Sequence, residues 1–415
     1  MSSFGSSAFR WLWTSTLVAS AGGGMYSTTT AWLALDSAGG PFAVGLVLAA
    51  RMLPSLLFGL AAGTLADRVQ RNRLLVGVSL TAVPLMLALS GLAGSGRIEL
   101  WLLAALSFAT GCVPVFDVPA RQALVMDTVP RAVAANAMAL NALAGRLCTA
   151  LGALAAGALI PTLGVVSCYL LIAFTYAMAA ALAGFVRPTA SGVGRGGHPR
   201  PPFSTALSEA ARLVFDLPAV RTLILAGAAC EVFGFSFITA APAFARDILD
   251  AGAGGLGTLN AAISVGGSLA VVIQSLIPGR IRREPLLGMV FVLYGASLLV
   301  LATTRELALA AAVLLVTGAC AASFDLLQQT LIQLAVPEEQ RGRAIGVWVF
   351  GIGSAPLGHL EMGSLVAAFG SPLALAGNGC VVLVAAAVLL ARSPGYRWSA
   401  ESSRLNSRRE PWKSG

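Results

Sequence analysis

Gly59-Leu-Ala-Ala-Gly63-Thr-Leu-Ala-Asp67-Arg68-Val-Gln-Arg71-Asn-Arg73 brings a long apolar run to an abrupt, basic end. Gly59 and Gly63 form a small-xxx-small face that lets a second helix come close. Asp67 closes the run, and three arginines follow within six residues. An apolar helix that stops in a cluster of positive charge reads as a membrane span meeting the cytoplasmic surface. Composition extends that reading to the whole chain. Only 11% of the 415 residues are charged and 57% are hydrophobic, whereas soluble domains carry about 25% charge. A soluble fold of this size could not cover so much apolar side chain. The chain reads as an all-α, multi-pass membrane protein.

About 20 apolar residues cross the hydrocarbon of a bilayer. Runs of that kind lie at about 9–35, 42–66, 73–94, 99–120, 134–160 and 165–186, then at 219–245, 255–278, 286–303, 306–334, 343–369 and 371–391. That makes twelve transmembrane helices in two sets of six. The first run is too long for a signal-peptide core and reads as a retained helix. With the amino terminus in the cytoplasm, 22 of the 27 basic residues fall on the inner side. Arg97, Arg246 and Arg305 fall outside, and Arg51 and Arg146 lie within helices. This asymmetry obeys the positive-inside rule, so both termini are expected in the cytoplasm and the chain in the cell inner (plasma) membrane.

The expected organisation is a first six-helix bundle over 1–187, a cytoplasmic linker over 188–218, a second bundle over 219–391 and a basic cytoplasmic tail over 392–415. Within the linker, Phe203 to Phe215 carries an apolar stripe that predicts a helix lying on the inner membrane surface. The bundles echo each other. Phe116-Asp117, Gln122, Leu124 and Val129-Pro130 recur as Phe324-Asp325, Gln329, Leu331 and Val336-Pro337, 207 or 208 residues on. Duplicated halves suit alternating access, in which two similar bundles rock about a central site.

Several chemistries are set aside. The six cysteines stand singly in apolar stretches, without disulfide or zinc-ligand spacing. The positive charge is spread over short loops rather than gathered in a nucleic-acid patch. With one lysine in the chain and no phosphate-binding loop, ATP hydrolysis has no site. No metal, cofactor or enzyme chemistry is expected.

Gly63-x-Leu65-Ala66-Asp67-Arg68-x-x-Arg71-x-Arg73 resembles the signature between helices 2 and 3 of the major facilitator superfamily. Pro119-Ala-Arg-Gln-Ala-Leu, Val129-Pro130, Ala135-Asn136-Ala137, Arg51-x-x-Pro54-Ser55 and Pro356-Leu-Gly358 resemble its enterobactin-exporter and macrolide-efflux branch. The resemblance runs over about residues 9–391. Two positions depart from it: Gln70 replaces the signature's second glycine, and Gly152-Ala153 stands where exporters have a glycine-proline step in helix 5. The resemblance implies an inner gate of Gly63, Asp67, Arg68, Arg71 and Arg73 that binds across to the second bundle. It also implies a substrate cavity between helices 1, 4, 7 and 10. Those helices offer Tyr26, Phe116, Phe233, Phe237, Gln328 and Gln329, with Met25, Trp32, Phe108 and Phe324 nearby in sequence. An apolar, aromatic lining with few polar groups suits a hydrophobic or amphipathic solute, although any one such ring also serves as packing.

Charges at membrane depth complete the candidates. Each costs about 2.5–3.5 kcal/mol on the insertion scale, so it needs a partner or a purpose. Glu231 sits about mid-helix among Cys230, Phe233, Phe235 and Phe237, a setting for a proton-carrying carboxyl or for an ion pair with a buried arginine. Glu361 is the second proton-carrying candidate. His359, two residues away, points to another face of the helix. Asp117 and Asp325 hold equivalent places in the repeat, near the inner ends of helices 4 and 10, and read as structural carboxylates paired with loop arginines. Arg51 and Arg146 are the cations within helices, candidates for buried ion pairs.

The function these features predict is proton-coupled efflux of a small amphipathic compound (a drug, siderophore or secondary metabolite) by a monomeric secondary transporter. A lysophospholipid flippase or uptake carrier of the same fold is the alternative transport reading. A membrane sensor or enzyme on this scaffold is the alternative of another class.

Overall fold

A computed structural model of the chain describes residues 3–187, 217–276, 283–336 and 353–392, leaving aside the side chains of 60–68, 131, 275 and 392. The expected linker helix, most of the basic tail and the start of the eleventh run lie outside the described residues. Every element within them is helical. The helices are α1 (Ser7–Ser37), α2 (Pro41–Arg68), α3 (Arg71–Gly94) and α4 (Leu100–Thr128). A helical run, Arg131–Gly184, is broken at Gly164 (φ 77°, ψ 167°) into α5 (131–163) and α6 (165–184). There follow α7 (Pro218–Ile248), α8 (Gly252–Leu276), α9 (Arg283–Thr303), α10 (Leu307–Leu334), α11 (Ala355–Phe369) and α12 (Ser371–Arg392).

Nine helices among the described residues are long and apolar enough to cross a membrane, α5 and α6 counting as one of 53 residues. At 1.5 Å per residue that run has length for two crossings of about 30 Å each. Two other expected spans fall outside the nine. α1 is 31 residues long but carries ten Ser and Thr, and α11 is described over only 15 residues.

Helix ends differ from expectation where polar groups find partners. α4 was expected to stop at 120, at Arg121, yet continues to Thr128. Arg121 is bound by Asp117 one turn earlier on the same helix, with nitrogen–oxygen distances of 2.9 and 3.0 Å. A charge neutralised on its own helix does not oblige the helix to end. α7 is not uniform: π turns at Cys230–Gly234 and Phe244–Ile248 widen it.

The sequence repeat has a structural counterpart in the close crossings. Gly111 of α4 lies against the backbone of Arg51 of α2, and Gly318 of α10 lies against that of Ile263 of α8. The two glycines are 207 residues apart. Likewise Gly152 of α5 meets Ala21 of α1, and Gly358 of α11 meets Val232 of α7. Without a hydrophobic force between helices in lipid, close backbone contact is a main source of their attraction, and a Cβ at these positions would occupy the neighbour's backbone. The single-residue turn at Gly164 is repeated at Gly370 (φ 79°, ψ 161°), in a left-handed region that glycine enters without strain.

Among the described residues, contacts between the first six helices and the last six gather at the end that carries the α1–α2 and α7–α8 turns. There α2 packs on α11 and α5 on α8. A Cβ on Gly45 would lie 2.5 Å from the carbonyl oxygen of His359 and 3.0 Å from Gly363 Cα. One on Gly257 would lie 2.6 Å from the carbonyl oxygen of Ala153 and 2.9 Å from Gly157 Cα. Asn260 of α8 also donates to Thr28 of α1 at 3.0 Å.

Candidate functional site

A cavity of about 510 Å³ lies among α1–α6. Its walls are more polar than the sequence suggested. Thr16, Ser20, Tyr26, Arg51, Thr110, Asp117, Arg121, Asn141, Arg146, Thr149 and Tyr176 all face it, beside Met86, Val113 and Met138. The cavity lies within the first six helices, not between helices 1, 4, 7 and 10 where the solute cavity was expected. The polar groups sit on helices that bury them toward one another rather than toward lipid, the arrangement that makes intramembrane polarity tolerable.

Three of the charges belong to arginines. Arg121 is buried and neutralised, held by both oxygens of Asp117 and donating to Thr16 Oγ1 at 3.0 Å. Arg51 lies ten residues into α2, about 15 Å along it. It donates to Ser27 Oγ at 2.9 Å, and its guanidinium carbon stands 4.4 Å from the Tyr26 ring centroid. The Tyr26 and Thr110 hydroxyls are joined at 2.7 Å, which fixes that ring. A cation–π contact and one neutral hydrogen bond leave most of the guanidinium's donors unused. Among the described residues, neither Arg51 nor Arg146 forms an ion pair. Arg146 reaches from α5 to α8, where a Cβ on Gly267 would lie 2.8 Å from its Nη1.

On the later helices a carboxylate lies near Arg146. Glu231, in the first π turn of α7, and Asp325 of α10 are near enough to act on each other electrostatically, and Arg146 acts on Asp325 in the same way. Asp325 lacks the own-helix partner of its counterpart Asp117. One turn along from Asp117 stands Arg121, while one turn along from Asp325 stands Gln329. π turns expose carbonyls and re-aim side chains, and they recur at functional sites. His359 and Glu361 turn to different neighbours. His359 is buried, with its Nδ1 2.8 Å from Thr239 Oγ1 of α7. Glu361 accepts from Asn378 Nδ2 of α12 at 3.1 Å, and the same nitrogen reaches Ser236 Oγ at 3.2 Å.

The other expected site residues are dispersed. The side chains of Gly63, Asp67 and Arg68 lie outside the described residues. Arg71 pairs with Asp127 of α4 at 2.6 Å, within the first six helices rather than across to the others, and Arg73 is exposed. Of the six cavity candidates, Tyr26 faces the cavity, whereas Phe116, Phe233, Phe237, Gln328 and Gln329 do not. Phe237 is buried against Tyr294, with ring centroids 6.4 Å apart. Gln328 is also buried, and its Nε2 donates to the carbonyl of Leu223 at 2.8 Å. It ties α10 to α7, where Gly227 leaves room for it. Asp127, Asn141, Thr149 and Tyr176 were missed, because a lone polar residue in an apolar run carries no sequence signal of the neighbour it meets. The crossing glycines carry a sequence signal: Gly111 and Gly318 keep the 207-residue spacing of the repeat, and Gly152 and Gly358 are 206 residues apart. Among the described residues no group of His, Cys, Asp and Glu is placed to hold a metal ion.

Apolar helices of membrane length, crossing at glycines at matched places in the first and second halves, make this an all-helical multi-pass membrane protein. The model of the family described as transmembrane secretion effector matches residues 1–412, and the chain belongs to that family, MFS_3. It is a transporter, not an enzyme. No curated protein matches the chain by sequence. Solved structures share the fold. The nucleoside transporter NupG is 11% identical, with 94% of this chain and 100% of that one covered and a TM-score of 0.76. A POT family transporter in complex with 5-aminolevulinic acid is 12% identical, with 93% and 96% covered and a TM-score of 0.72. A bacterial homolog of the human lysosomal transporter Spinster, inward-facing and unoccupied, is 13% identical, with 97% and 98% covered and a TM-score of 0.65.

Proposed function

We propose that the protein is a secondary active exporter that moves a small amphipathic compound out across the cell inner membrane against proton entry. Twelve crossings in two bundles, both termini in the cytoplasm and a monomeric unit complete the proposal. The observation that carries it is the polar cavity inside a duplicated fold whose halves touch, through Gly45–Gly363 and Gly157–Gly257, at one end. A solute site is useful to a transporter only if the halves can exchange the end at which they touch. With the amino terminus inside, the touching end is the outer one, so the cavity faces the cytoplasm and is poised to load.

In this reading Gly63, Asp67, Arg68, Arg71 and Arg73 form the latch that closes the inner end, and Asp127 holds Arg71 while that end is open. Glu231, with Asp325 beside it and Glu361 as a second carrier, takes up the driving proton. Support for Glu231 comes from its π turn and from the lack of an ion-pair partner among the described residues. The test is accumulation of a fluorescent amphipathic dye inside everted vesicles, whose outer face is the cytoplasmic one, after a pH jump that leaves the lumen acidic. Wild type moves the dye in the direction opposite to the proton gradient, and Asp67→Asn slows this at unchanged expression. Movement along the gradient indicates uptake coupling and overturns the export reading. Normal turnover in Asp67→Asn overturns the latch.

A further inference from the structure

The charge carried by the cavity points beyond the amphipathic character of the solute. Asp117 is spent on Arg121 through both of its oxygens, so it neutralises nothing else on the cavity wall. Arg51 and Arg146 face the same space, and neither has a carboxylate within ion-pair distance among the described residues. The opposite charges that act on Arg146, Asp325 and through it Glu231, belong to the later helices and do not line this cavity. Arg51 is half-buried, and Arg146, expected to be buried, is exposed. A guanidinium held at membrane depth without a counter-ion is costly wherever it is shielded from water, and a planar acid oxygen pair is the partner its fork of donors fits best. The cavity wall also carries Tyr176, half-buried, and the exposed side chains of Val118 and Met138, a surface for an apolar body, whereas Tyr26 is covered by Arg51 itself.

We propose that the transported solute is an organic anion: its acid group pairs with Arg51, Arg146 draws it in from the α8 side, and its apolar body lies along Tyr176, Val118 and Met138. The proposal rests on the cavity being the solute site of the exporter described above. It names the acid chemistry, which either a free organic acid or an anionic lipid headgroup can supply.

The test is binding of carboxyfluorescein, an anionic dye, against ethidium, a cationic one, followed by fluorescence anisotropy on the full-length protein in phosphatidylcholine nanodiscs. Wild type binds carboxyfluorescein and not ethidium. Losing a charge-assisted hydrogen bond weakens binding by at least about tenfold, which is the effect expected for Arg51→Gln. Arg51→Lys retains part of the affinity, and Arg146→Gln shows a smaller loss. Arg51→Lys also guards against misfolding, because it keeps the charge and should keep the melting temperature. Displacement of the dye by benzoate assigns the acid to a free compound. Displacement by lysophosphatidylglycerol alone assigns it to a lipid, and either result supports the anion site. Binding of ethidium alone, binding of neither dye, or an unchanged affinity in a folded Arg51→Gln overturns it. Ethidium export driven by a pH jump without anion binding leaves the exporter reading standing and removes this one. Anion binding without gradient-driven movement of either dye does the reverse.

Discussion

The contact between the halves rests on glycines, so a single methyl group should loosen it. In Gly257→Ala the new Cβ would lie 2.6 Å from the Ala153 carbonyl oxygen and 2.9 Å from Gly157 Cα. Favourable contacts begin near 3.5 Å, so α5 and α8 must part by about 0.6–0.9 Å. Neither opposing atom belongs to a flexible side chain, so the strain falls on backbone. Overpacking of this kind costs about 1–3 kcal/mol, and here the cost applies only to the state in which these ends touch. The balance between that state and its alternative then shifts by about 5- to 150-fold. An alternative state populated at about 1% would rise to between about 5% and 60%. Spin labels at Leu163 and Phe369, exposed at the touching end on opposite halves, would read the change by pulsed electron resonance once the six native cysteines are replaced. A longer-distance population should grow in Gly257→Ala. Gly45→Ala, which meets the His359 carbonyl oxygen, should act likewise, and Gly77→Ala, with nothing within 4 Å, should change nothing. Distance distributions identical to wild type in both interface variants would refute the argument.

Three further expectations follow from the same geometry. Asp117→Asn removes the carboxylate from a buried Arg121, and breaking a buried pair costs about 3–5 kcal/mol; thermal unfolding in detergent should show the loss, and adding Arg121→Gln should restore part of it. Gly111→Ala and Gly318→Ala intrude on equivalent backbones, so each should lose stability near the top of the usual overpacking range of about 1–3 kcal/mol, and clearly unequal melting shifts would speak against equivalent crossings. Glu231→Gln cannot load a proton, so acidifying the outer side should no longer accelerate dye export while downhill exchange continues; Glu361→Gln tests the second carrier, and a wild-type pH profile in both variants would exclude both.

Much of this protein was written in one dimension. Apolar runs of membrane length, the basic stretch after Asp67 and the recurrence of Phe116-Asp117 as Phe324-Asp325 depend only on local composition and spacing. They were enough for an all-helical membrane transporter with two related halves, and the family match agrees. Which face of each helix meets what was a different matter. In water, polarity marks the outer face of a helix, but lipid tails and protein interior are equally apolar, so Phe237 in the core and a ring against lipid look alike in sequence. The same degeneracy made Gln328 look like a cavity residue when it ties α10 to α7. It also hid the association of Arg51, Arg121 and Arg146, which come from α2, α4 and α5 and share a wall only after folding. Tertiary structure alone decided that three arginines share one cavity wall and that two of them lack an ion-pair partner among the described residues, because those properties depend on distances between helices remote in the chain.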